Sequence, residues 1–218
     1  MHDRRALFSA AVLAGGQSTR MGRDKALLPL ANGGPAMLAL VLNSLEGIAD
    51  DVSIVANDCE KYRAFGVRVV PDLHPGNGAL GGIQTGVAQA IHERCLVVAC
   101  DMPFLNPALL RRMTIEPGDY DVLVPLIPGE SRQGRDGLVY QTLHAIYSKQ
   151  CLQPIERRIA QGKRQVVGFF EDVRVRTLDI AEIARWDPNL QSFFNANNPE
   201  TLALAADMSA NREQKSGA

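Results

Sequence analysis

The stretch AVLAGGQSTRMGRDK, residues 11–25, joins an apolar strand directly to glycines, hydroxyl side chains and fixed cations. Gly15 and Gly16 carry no Cβ, so backbone N–H groups in this turn can approach phosphate oxygens or a base edge. Arg20 offers phosphate a planar fork of donors, and Lys25 offers a mobile point charge. A plain tight turn after a first strand is the alternative, but it has no use for the two cations. The stretch therefore favours a loop that binds a nucleoside triphosphate.

This loop departs from the two commonest glycine-rich nucleotide motifs. A Walker loop ends in Gly-Lys followed by Ser or Thr, whereas here Gly22 is followed by Arg23, Asp24 and Lys25. The dinucleotide fingerprint requires the order Gly-x-Gly-x-x-Gly, which the stretch does not supply. We therefore expect an anion-binding loop of a different class.

Composition limits the classes of protein to which the chain can belong. With 218 residues, 46% of them hydrophobic, it can bury one substantial core, and one domain is the simplest interpretation. The formal net charge is −1, from 23 basic and 24 acidic residues, so no overall field recruits nucleic acid or an anionic membrane. The positive charge that matters must be local.

The cysteines and the N-terminus indicate a soluble protein of the cytoplasm. No Cys-x-x-Cys pair or zinc spacing occurs, so the cysteines are interpreted as small buried residues in a reducing compartment. Residues 1–6 carry charge without a following apolar stretch, and no apolar run is long enough to span a membrane. The four cysteines are Cys59, Cys95, Cys100 and Cys151.

Short apolar runs alternate with helix-like segments in the first 126 residues, which predicts a doubly wound α/β fold with a mostly parallel sheet. The predicted strands are residues 7–13, 52–56, 67–70, 95–100 and 122–125. The predicted helices are residues 36–48, 60–65, 81–93 and 107–113.

The second part of the chain is more varied. Pro, Gly and charged residues in 127–137 predict a mobile polar loop or a hairpin outside the core. Further strands are predicted at residues 138–142 and 173–178, and further helices at 146–159 and 199–208. We therefore expect one domain over residues 1–208 and a disordered C-terminal tail over 209–218.

Polar residues follow the predicted strands, at the sheet edge where ligands bind in doubly wound folds. The second strand leads to Asn57, the third to Asp72 and the fourth to Asp101. Mg²⁺ prefers one or two carboxylates with phosphate oxygens and water, so Asp101 alone is sufficient as a protein ligand. A helix cap is the alternative role for Asp101, but Pro103 and Asn106 already serve that need.

The glycine-dense residues 76–82 precede a helix, so Gly78 and Gly82 let the backbone approach a ligand near a helix N-terminus. A flexible lid is the alternative, and the two roles are compatible. Asn195 and Asn197 lie two residues apart and would point to one side of an extended segment. They either face an acceptor phosphate or metal, or are simply turn residues.

Four segments together resemble the nucleotidyltransferases that activate small molecules with a nucleoside triphosphate, and most closely the molybdenum cofactor guanylyltransferases. The first is the run LAGGxSxRMGxDK at residues 13–25. The others are PGNGALGGI at 75–83, ACDMPFL at 99–105 and FNANNPETL at 194–202. They span most of the chain in the order expected for that family.

The resemblance implies a fold and a set of site residues. The fold is a single-domain, three-layer α/β/α arrangement with a Rossmann-like sheet of the nucleotide-diphospho-sugar transferase type. The position matching Asp101 also holds Mg²⁺, with Mn²⁺ as an alternative ion, and residues 162–165 resemble a basic segment that faces the acceptor. The positions that match nucleotide contacts are Leu13, Ala14, Gly15, Lys25, Asn57, Asp72 and Asp101. We add Gly16, Gly78, Gly82, Asn195 and Asn197 as candidate binding residues.

The resemblance also implies the reaction, which is GMP transfer from GTP to the molybdenum-molybdopterin cofactor with release of pyrophosphate. An acceptor phosphate would attack the α-phosphate in line, so positioning and charge neutralisation are required more than a protein base. Arg20, Lys25 and Asp101 would be the catalytic residues. The expected partners are GTP, the pterin acceptor and a molybdoenzyme or cofactor-delivery protein, but neither nucleic acid nor membrane.

Two other functions stay open from the sequence. One is a related transferase that uses CTP or another triphosphate with a different phosphorylated acceptor. The other is a nucleotide-binding accessory protein without catalysis. A nucleotide panel distinguishes the first, and pyrophosphate release distinguishes the second.

Overall fold

A computed structural model of the chain describes residues 8–14, 24–30, 33–129 and 137–216. These residues form an eight-stranded sheet flanked by helices. The strands are β1 (Ser9–Leu13), β2 (Asp51–Val55), β3 (Arg68–Val70), β4 (Arg94–Ala99), β5 (Val122–Pro128), β6 (Leu138–Tyr140), β7 (His144–Ser148) and β8 (Val175–Leu178). The helices are α1 (Met37–Leu45), α2 (Cys59–Tyr62), α3 (Gly78–Gln89), α4 (Pro107–Thr114), α5 (Leu152–Ala160), α6 (Ile180–Ala184) and α7 (Pro199–Ser216).

The sheet has a parallel half and a mixed half. The strand order is β3-β2-β1-β4-β7-β5-β6, and β8 pairs with β5. The first four strands are parallel to one another, as the sequence predicted. β7 runs antiparallel to both of its neighbours, β4 and β5, whereas β8 is parallel to β5. The carboxyl ends of β1 to β4 therefore lie along one edge, as in other doubly wound sheets.

Helices cover both faces of the sheet and produce two apolar cores. On one face, α1 and α4 pack with β1 and β4 through residues such as Leu38, Val41 and Leu110. On the other face, α3 and α5 pack on the same sheet through residues such as Ile83 and Ile155. The expected three-layer α/β/α arrangement is thus confirmed.

Glycines let α3 lie unusually close to β1. A Cβ added at Gly86 would lie 2.7 Å from the Cβ of Ala11, and one at Gly82 would lie 2.9 Å from Cδ1 of Leu13. Carbon atoms in contact normally lie about 3.5–4.0 Å apart. A side chain at Gly86 would force the helix away from the strand, because the backbone fixes the Cβ of Ala11, whereas one at Gly82 would require the Leu13 side chain to shift.

The structure corrects the predicted helix over residues 146–159. Residues 144–148 form the buried strand β7, and α5 begins only at Leu152. Because β7 has a strand on each side, all five of its residues are buried, and periodicity cannot distinguish such a run from a buried helix. The short helix α6 was not predicted.

α3 begins at Gly78 and ends at Gln89, whereas the prediction was residues 81–93. After the helix, the amide of Ile91 donates to Asp51 Oδ2 at 3.0 Å, and that of His92 donates to Ser9 Oγ at 3.1 Å. These side-chain acceptors, at the starts of β1 and β2, replace the helical carbonyls and end the helix. The segment predicted as a loop or hairpin is a hairpin where it is described, because β5 pairs with β6.

The last helix also differs from its prediction. α7 runs to Ser216, so residues 209–216 of the tail expected to be disordered are helical. The segment SANREQKS contains Ala, Arg, Glu, Gln and Lys, which favour helices, and the first glycine comes only at position 217. Within the described ranges, no helix is long and apolar enough to cross a membrane.

Candidate active site

A cleft of about 620 Å³ opens at the carboxyl ends of the parallel strands. Nine of the predicted site residues line it, namely Leu13, Ala14, Lys25, Asn57, Asp72, Gly78, Gly82, Asp101 and Asn197. Gly15, Gly16 and Arg20 lie outside the described residues. Asn195 is not among the residues that line the cleft, and its amide nitrogen donates to the Phe193 carbonyl at 3.1 Å.

Asp101 follows β4 and carries the carboxylate best suited to a cation. Burial raises its pKa, and the positive charge of Lys25 partly opposes that rise. Its backbone carbonyl accepts a hydrogen bond from the Ala196 amide at 2.9 Å, which ties the segment before α7 to the end of β4. No side chain in the described part of the chain donates a hydrogen bond to the Asp101 carboxylate. A half-buried carboxylate without such donors is stabilised when it binds a cation.

The surroundings of Asp101 suit Mg²⁺ bound together with a triphosphate. Within the described residues there is no group of three or more His, Cys, Asp or Glu side chains that could hold a metal. Mg²⁺ does not need such a group, because it usually keeps several waters and binds phosphate oxygens beside one or two carboxylates. The chemistry of the site therefore fits the predicted ion, for which Asp101 would be the protein ligand.

Lys25 connects the start of the described residues 24–30 with the segment before α7. It begins a short 3-10 turn, Lys25–Leu27, that Asp24 caps by accepting the Ala26 amide at 3.1 Å. Its ammonium donates a hydrogen bond to the backbone carbonyl of Asn197. One cation thus faces both Asp101 and the predicted acceptor side of the cleft.

Asp72 shapes the turn that precedes α3. Its Oδ1 accepts hydrogen bonds from the His74 amide at 2.9 Å and from Thr85 Oγ1 at 3.0 Å. Both bonds use the same oxygen, so the other oxygen, Oδ2, keeps its capacity as an acceptor for a ligand. Gly81 packs under this turn, because a Cβ there would lie 2.7 Å from the His74 carbonyl oxygen.

The N-terminus of α3 opens into the cleft. Gly76, Gly78 and Ala79 line it, and Gly78 adopts the left-handed conformation with φ of 61°. α3 has 12 residues, so its first turn presents free amides and the positive end of a helix dipole to an anion. This geometry agrees with the predicted role of the glycine-dense segment.

Several lining residues were not among the sequence-predicted site residues. Arg164 lies in the basic segment 162–165 and reaches the cleft as an exposed cation. Leu143 immediately precedes β7, the strand that the sequence pattern had concealed. The complete set of unassigned lining residues is Asp24, Val55, Gly76, Ala79, Ala99, Cys100, Leu143 and Arg164. Asp24 belongs to the quoted stretch of residues 11–25. Its suitability as a helix cap is the sequence feature from which it could have been identified.

Comparisons with known proteins agree with this geometry. Residues 10–175 match the model of the MobA-like NTP transferase domain. The chain is 39% identical to a probable molybdenum cofactor guanylyltransferase of Pelotomaculum thermopropionicum, over 92% of each chain. It is 34% identical to a molybdenum cofactor guanylyltransferase of Desulfosudis oleivorans, over 89% of this chain and 92% of the relative.

Among solved structures, the chain is similar to molybdopterin-guanine dinucleotide biosynthesis protein A from Archaeoglobus fulgidus. The TM-score is 0.77 at 27% identity, and the match covers 94% of this chain and 100% of the other. It is also similar to a cytidylyltransferase from Thermus thermophilus, with a TM-score of 0.70 at 16% identity, over 94% of this chain and 99% of the other. The second likeness concerns the fold alone.

Proposed function

Because the chain belongs to the MobA-like NTP transferase family, we propose that it transfers GMP from GTP to molybdenum-molybdopterin, forming the guanine dinucleotide cofactor and pyrophosphate. The observation that carries the proposal is the juxtaposition of Asp101 and Lys25 in one cleft. A half-buried carboxylate suited to a cation and a lysine suited to phosphate meet there, beside the N-terminus of α3.

The reaction does not require the protein to transfer a proton from the acceptor. A phosphate monoester on the acceptor is already anionic at neutral pH, so it can attack the α-phosphate of GTP without a general base. The leaving group is pyrophosphate, which leaves as the new phosphoanhydride bond forms. What the site must supply is alignment and compensation of negative charge.

We assign different parts in this reaction to the residues of the cleft. Asp101 would hold Mg²⁺, or Mn²⁺ in its place, and the ion would neutralise charge on the phosphate oxygens. Lys25 binds the triphosphate, and the first turn of α3 presents amides to it. Arg164 and Asn197 lie where an acceptor phosphate would approach. Arg20, as an additional phosphate ligand, stays a prediction.

Base selection would fall to the ends of β2 and β3. Guanine presents N–H donors on its Watson–Crick edge, and Asp72 Oδ2 is an acceptor that lines the cleft. Asn57 offers both a donor and an acceptor from the exposed end of β2. A base with a different donor pattern would leave Asp72 Oδ2 unpaired once the nucleotide covers it, and one unpaired buried group costs about 1–3 kcal/mol.

Isothermal titration with GTP, ATP and CTP in the presence of Mg²⁺ tests the assignment. We expect GTP to bind at least about tenfold more tightly than the other two, from the cost of one unpaired group. Equal affinities would contradict guanylyl transfer, and a preference for CTP would favour a related cytidylyltransferase. GTP binding without pyrophosphate release in the presence of the pterin acceptor would favour the non-catalytic accessory protein. Location in the cytoplasm and a molybdoenzyme or cofactor-delivery partner stay predictions.

A further inference from the structure

The hydroxyl of Tyr62 lies between the two ends of the glycine-loop segment, residues 15–23. It is 2.5 Å from Asp24 Oδ2 and 3.2 Å from the backbone carbonyl oxygen of Ala14. Ala14 follows β1, and its amide donates to the Val55 carbonyl at 3.0 Å, so that end is fixed to the sheet. Asp24 caps the turn that begins with Lys25, so the other end is fixed to the phosphate-binding cation.

Lys61, the neighbour of Tyr62 on α2, completes this arrangement. Its ammonium lies 2.7 Å from Asp24 Oδ2, while Asp24 Oδ1 accepts the Ala26 amide at 3.1 Å. We refer to Ala14, Asp24, Lys61 and Tyr62 as the loop clasp. Two members of the loop clasp, Lys61 and Tyr62, belong to α2. In the sequence, Tyr62 and Asp24 are separated by 38 residues.

At neutral pH, the negative charge of Asp24 strengthens the hydrogen bonds of the loop clasp. Burial raises the pKa of Asp24, but hydrogen bonds from Lys61, Tyr62 and the Ala26 amide lower it more, so the carboxylate is ionised. Burial and the charge of Asp24 raise the pKa of Tyr62, so its hydroxyl keeps its proton. That one proton can be donated to the carboxylate or to the Ala14 carbonyl, and short bonds from hydroxyl to carboxylate are among the stronger hydrogen bonds in proteins.

A buried tyrosine with a purely structural role makes different hydrogen bonds. Tyr120 is also buried, and its hydroxyl donates to the Glu116 carbonyl four residues earlier, at 3.2 Å, in a contact outside the cleft. The Tyr62 hydroxyl instead joins two segments that are separated by the whole glycine loop, and Asp24 itself lines the cleft. Tyr120 therefore provides a matched control for the loss of a buried tyrosine hydroxyl.

We propose that Tyr62 is a positioning residue for the nucleotide, which holds Asp24, and with it the turn that carries Lys25, in place against the end of β1. The proposal rests on the nucleotide site proposed above. A binding residue that is already held in place loses less conformational freedom when the ligand binds, and such preorganisation improves affinity. The clasp acts before the chemical step, so it should affect GTP binding and leave turnover of bound GTP unchanged.

The test compares Tyr62→Phe with Tyr120→Phe, because each removes one buried hydroxyl and keeps the ring. We expect Tyr62→Phe to raise the Kd and the KM for GTP with Mg²⁺ about tenfold, the size of effect expected for one hydrogen bond to a charged group, with kcat within about twofold. Tyr120→Phe should leave Kd and KM unchanged. Thermal unfolding of both variants measures the structural cost of each lost hydroxyl.

Lys61→Met is a second test variant, and it leaves the apolar core unchanged. The Lys61 side chain is 38% exposed, so its replacement should not impair folding. We expect a rise of about two- to threefold in the Kd for GTP, which is smaller because an exposed ion pair contributes little.

The outcomes separate the two proposals. If the wild-type protein binds GTP and Tyr62→Phe binds it equally well, the clasp is overturned and the site stands. A fall in kcat without a change in Kd would also overturn the positioning role, since the hydroxyl would then act in the chemical step. If the wild-type protein binds no nucleoside triphosphate, the proposed function itself fails.

Discussion

Asp101 and Asn197 both face Lys25, but their expected parts in the reaction differ. Asp101 interacts with Lys25 through charge, and the Asn197 carbonyl accepts its hydrogen bond. We expect Asp101→Ala to reduce Mg²⁺-dependent transfer by on the order of 10²-fold or more, because electrostatic stabilisation of the reacting phosphates is lost. Asn197→Ala keeps the backbone carbonyl, so it should leave GTP affinity nearly intact and impair the step that involves the acceptor. Titration calorimetry and a transfer assay measure the two effects.

Asp101→Asn is the appropriate control for this pair, because it keeps the size of the side chain and removes only the charge. It should resemble Asp101→Ala in transfer while folding like the wild type. Equal loss of GTP affinity in the Asp101 and Asn197 variants would place Asn197 in the nucleotide or metal site. Full transfer in both variants would contradict the catalytic assignment.

At the scale of residues, the sequence predicted the cleft residues at the ends of the strands better than those in the segment before α7. Asn57, Asp72 and Asp101 could be assigned because the ends of parallel strands meet at one edge. The role of Tyr62 could not be predicted, since its partners Ala14 and Asp24 lie 48 and 38 residues away. Such contacts depend on the packing of α2 and leave no local pattern.

At the scale of elements, the approach of α3 to β1 makes Gly86 critical. Within a helix, alanine is normally more favourable than glycine by about 1 kcal/mol. Here, however, its Cβ would lie 2.7 Å from the Cβ of Ala11, so α3 would have to move away from the sheet. We expect Gly86→Ala to lower the free energy of unfolding by about 1–3 kcal/mol, as overpacked cores do, and to weaken GTP binding. Urea unfolding and titration calorimetry measure these two quantities.

The double variant Ala11→Gly/Gly86→Ala identifies the cause. Removing the Cβ of Ala11 removes the close contact, so the two substitutions should show a favourable coupling energy rather than add. Additive effects would mean that the loss arises elsewhere in α3. A Gly86→Ala protein more stable than the wild type would contradict the close approach itself.

The failure to predict β7 has a physical cause. β1, β2 and β4 each end in a turn or a polar residue that marks the boundary, and their prediction was close. β7 lies between two other strands and is buried throughout, so it carries no alternation to reveal it, and only the short turn Lys149–Cys151 separates it from α5. The sheet was consequently predicted without its antiparallel insertion.

At the scale of the whole molecule, stability should depend on His144 in mild acid. The ring is fully buried, 4.7 Å from the ring of Phe193, and no described residue hydrogen-bonds to either ring nitrogen. Burial lowers its pKa from 6.5 to about 4, although its own backbone and the charge of Asp187 oppose this shift. The unfolded chain therefore binds a proton in the pH range 6.5 to 4 that the folded protein does not bind. Stability must fall as the pH falls through that range and should lose no more from this group below about pH 4.

His144→Phe keeps an aromatic ring against Phe193 and removes the titrating group. Urea unfolding at pH 7, 6, 5 and 4 should show a shallower loss of stability in the variant, the difference reaching at most about 3 kcal/mol at pH 4. Identical pH dependence in the two proteins would show that the ring is protonated as easily when folded as when unfolded.

The position of β7 in the sheet also has a consequence for synthesis on the ribosome. β4 ends at Ala99, but the strand that covers its second edge begins only at His144. At translation rates of about 5–20 residues per second, that edge waits for its partner for a time on the order of several seconds. An apolar strand with an open edge is a template for pairing with other chains. Residues 95–99, CLVVA, are therefore a segment of the nascent chain that we expect chaperones to shield.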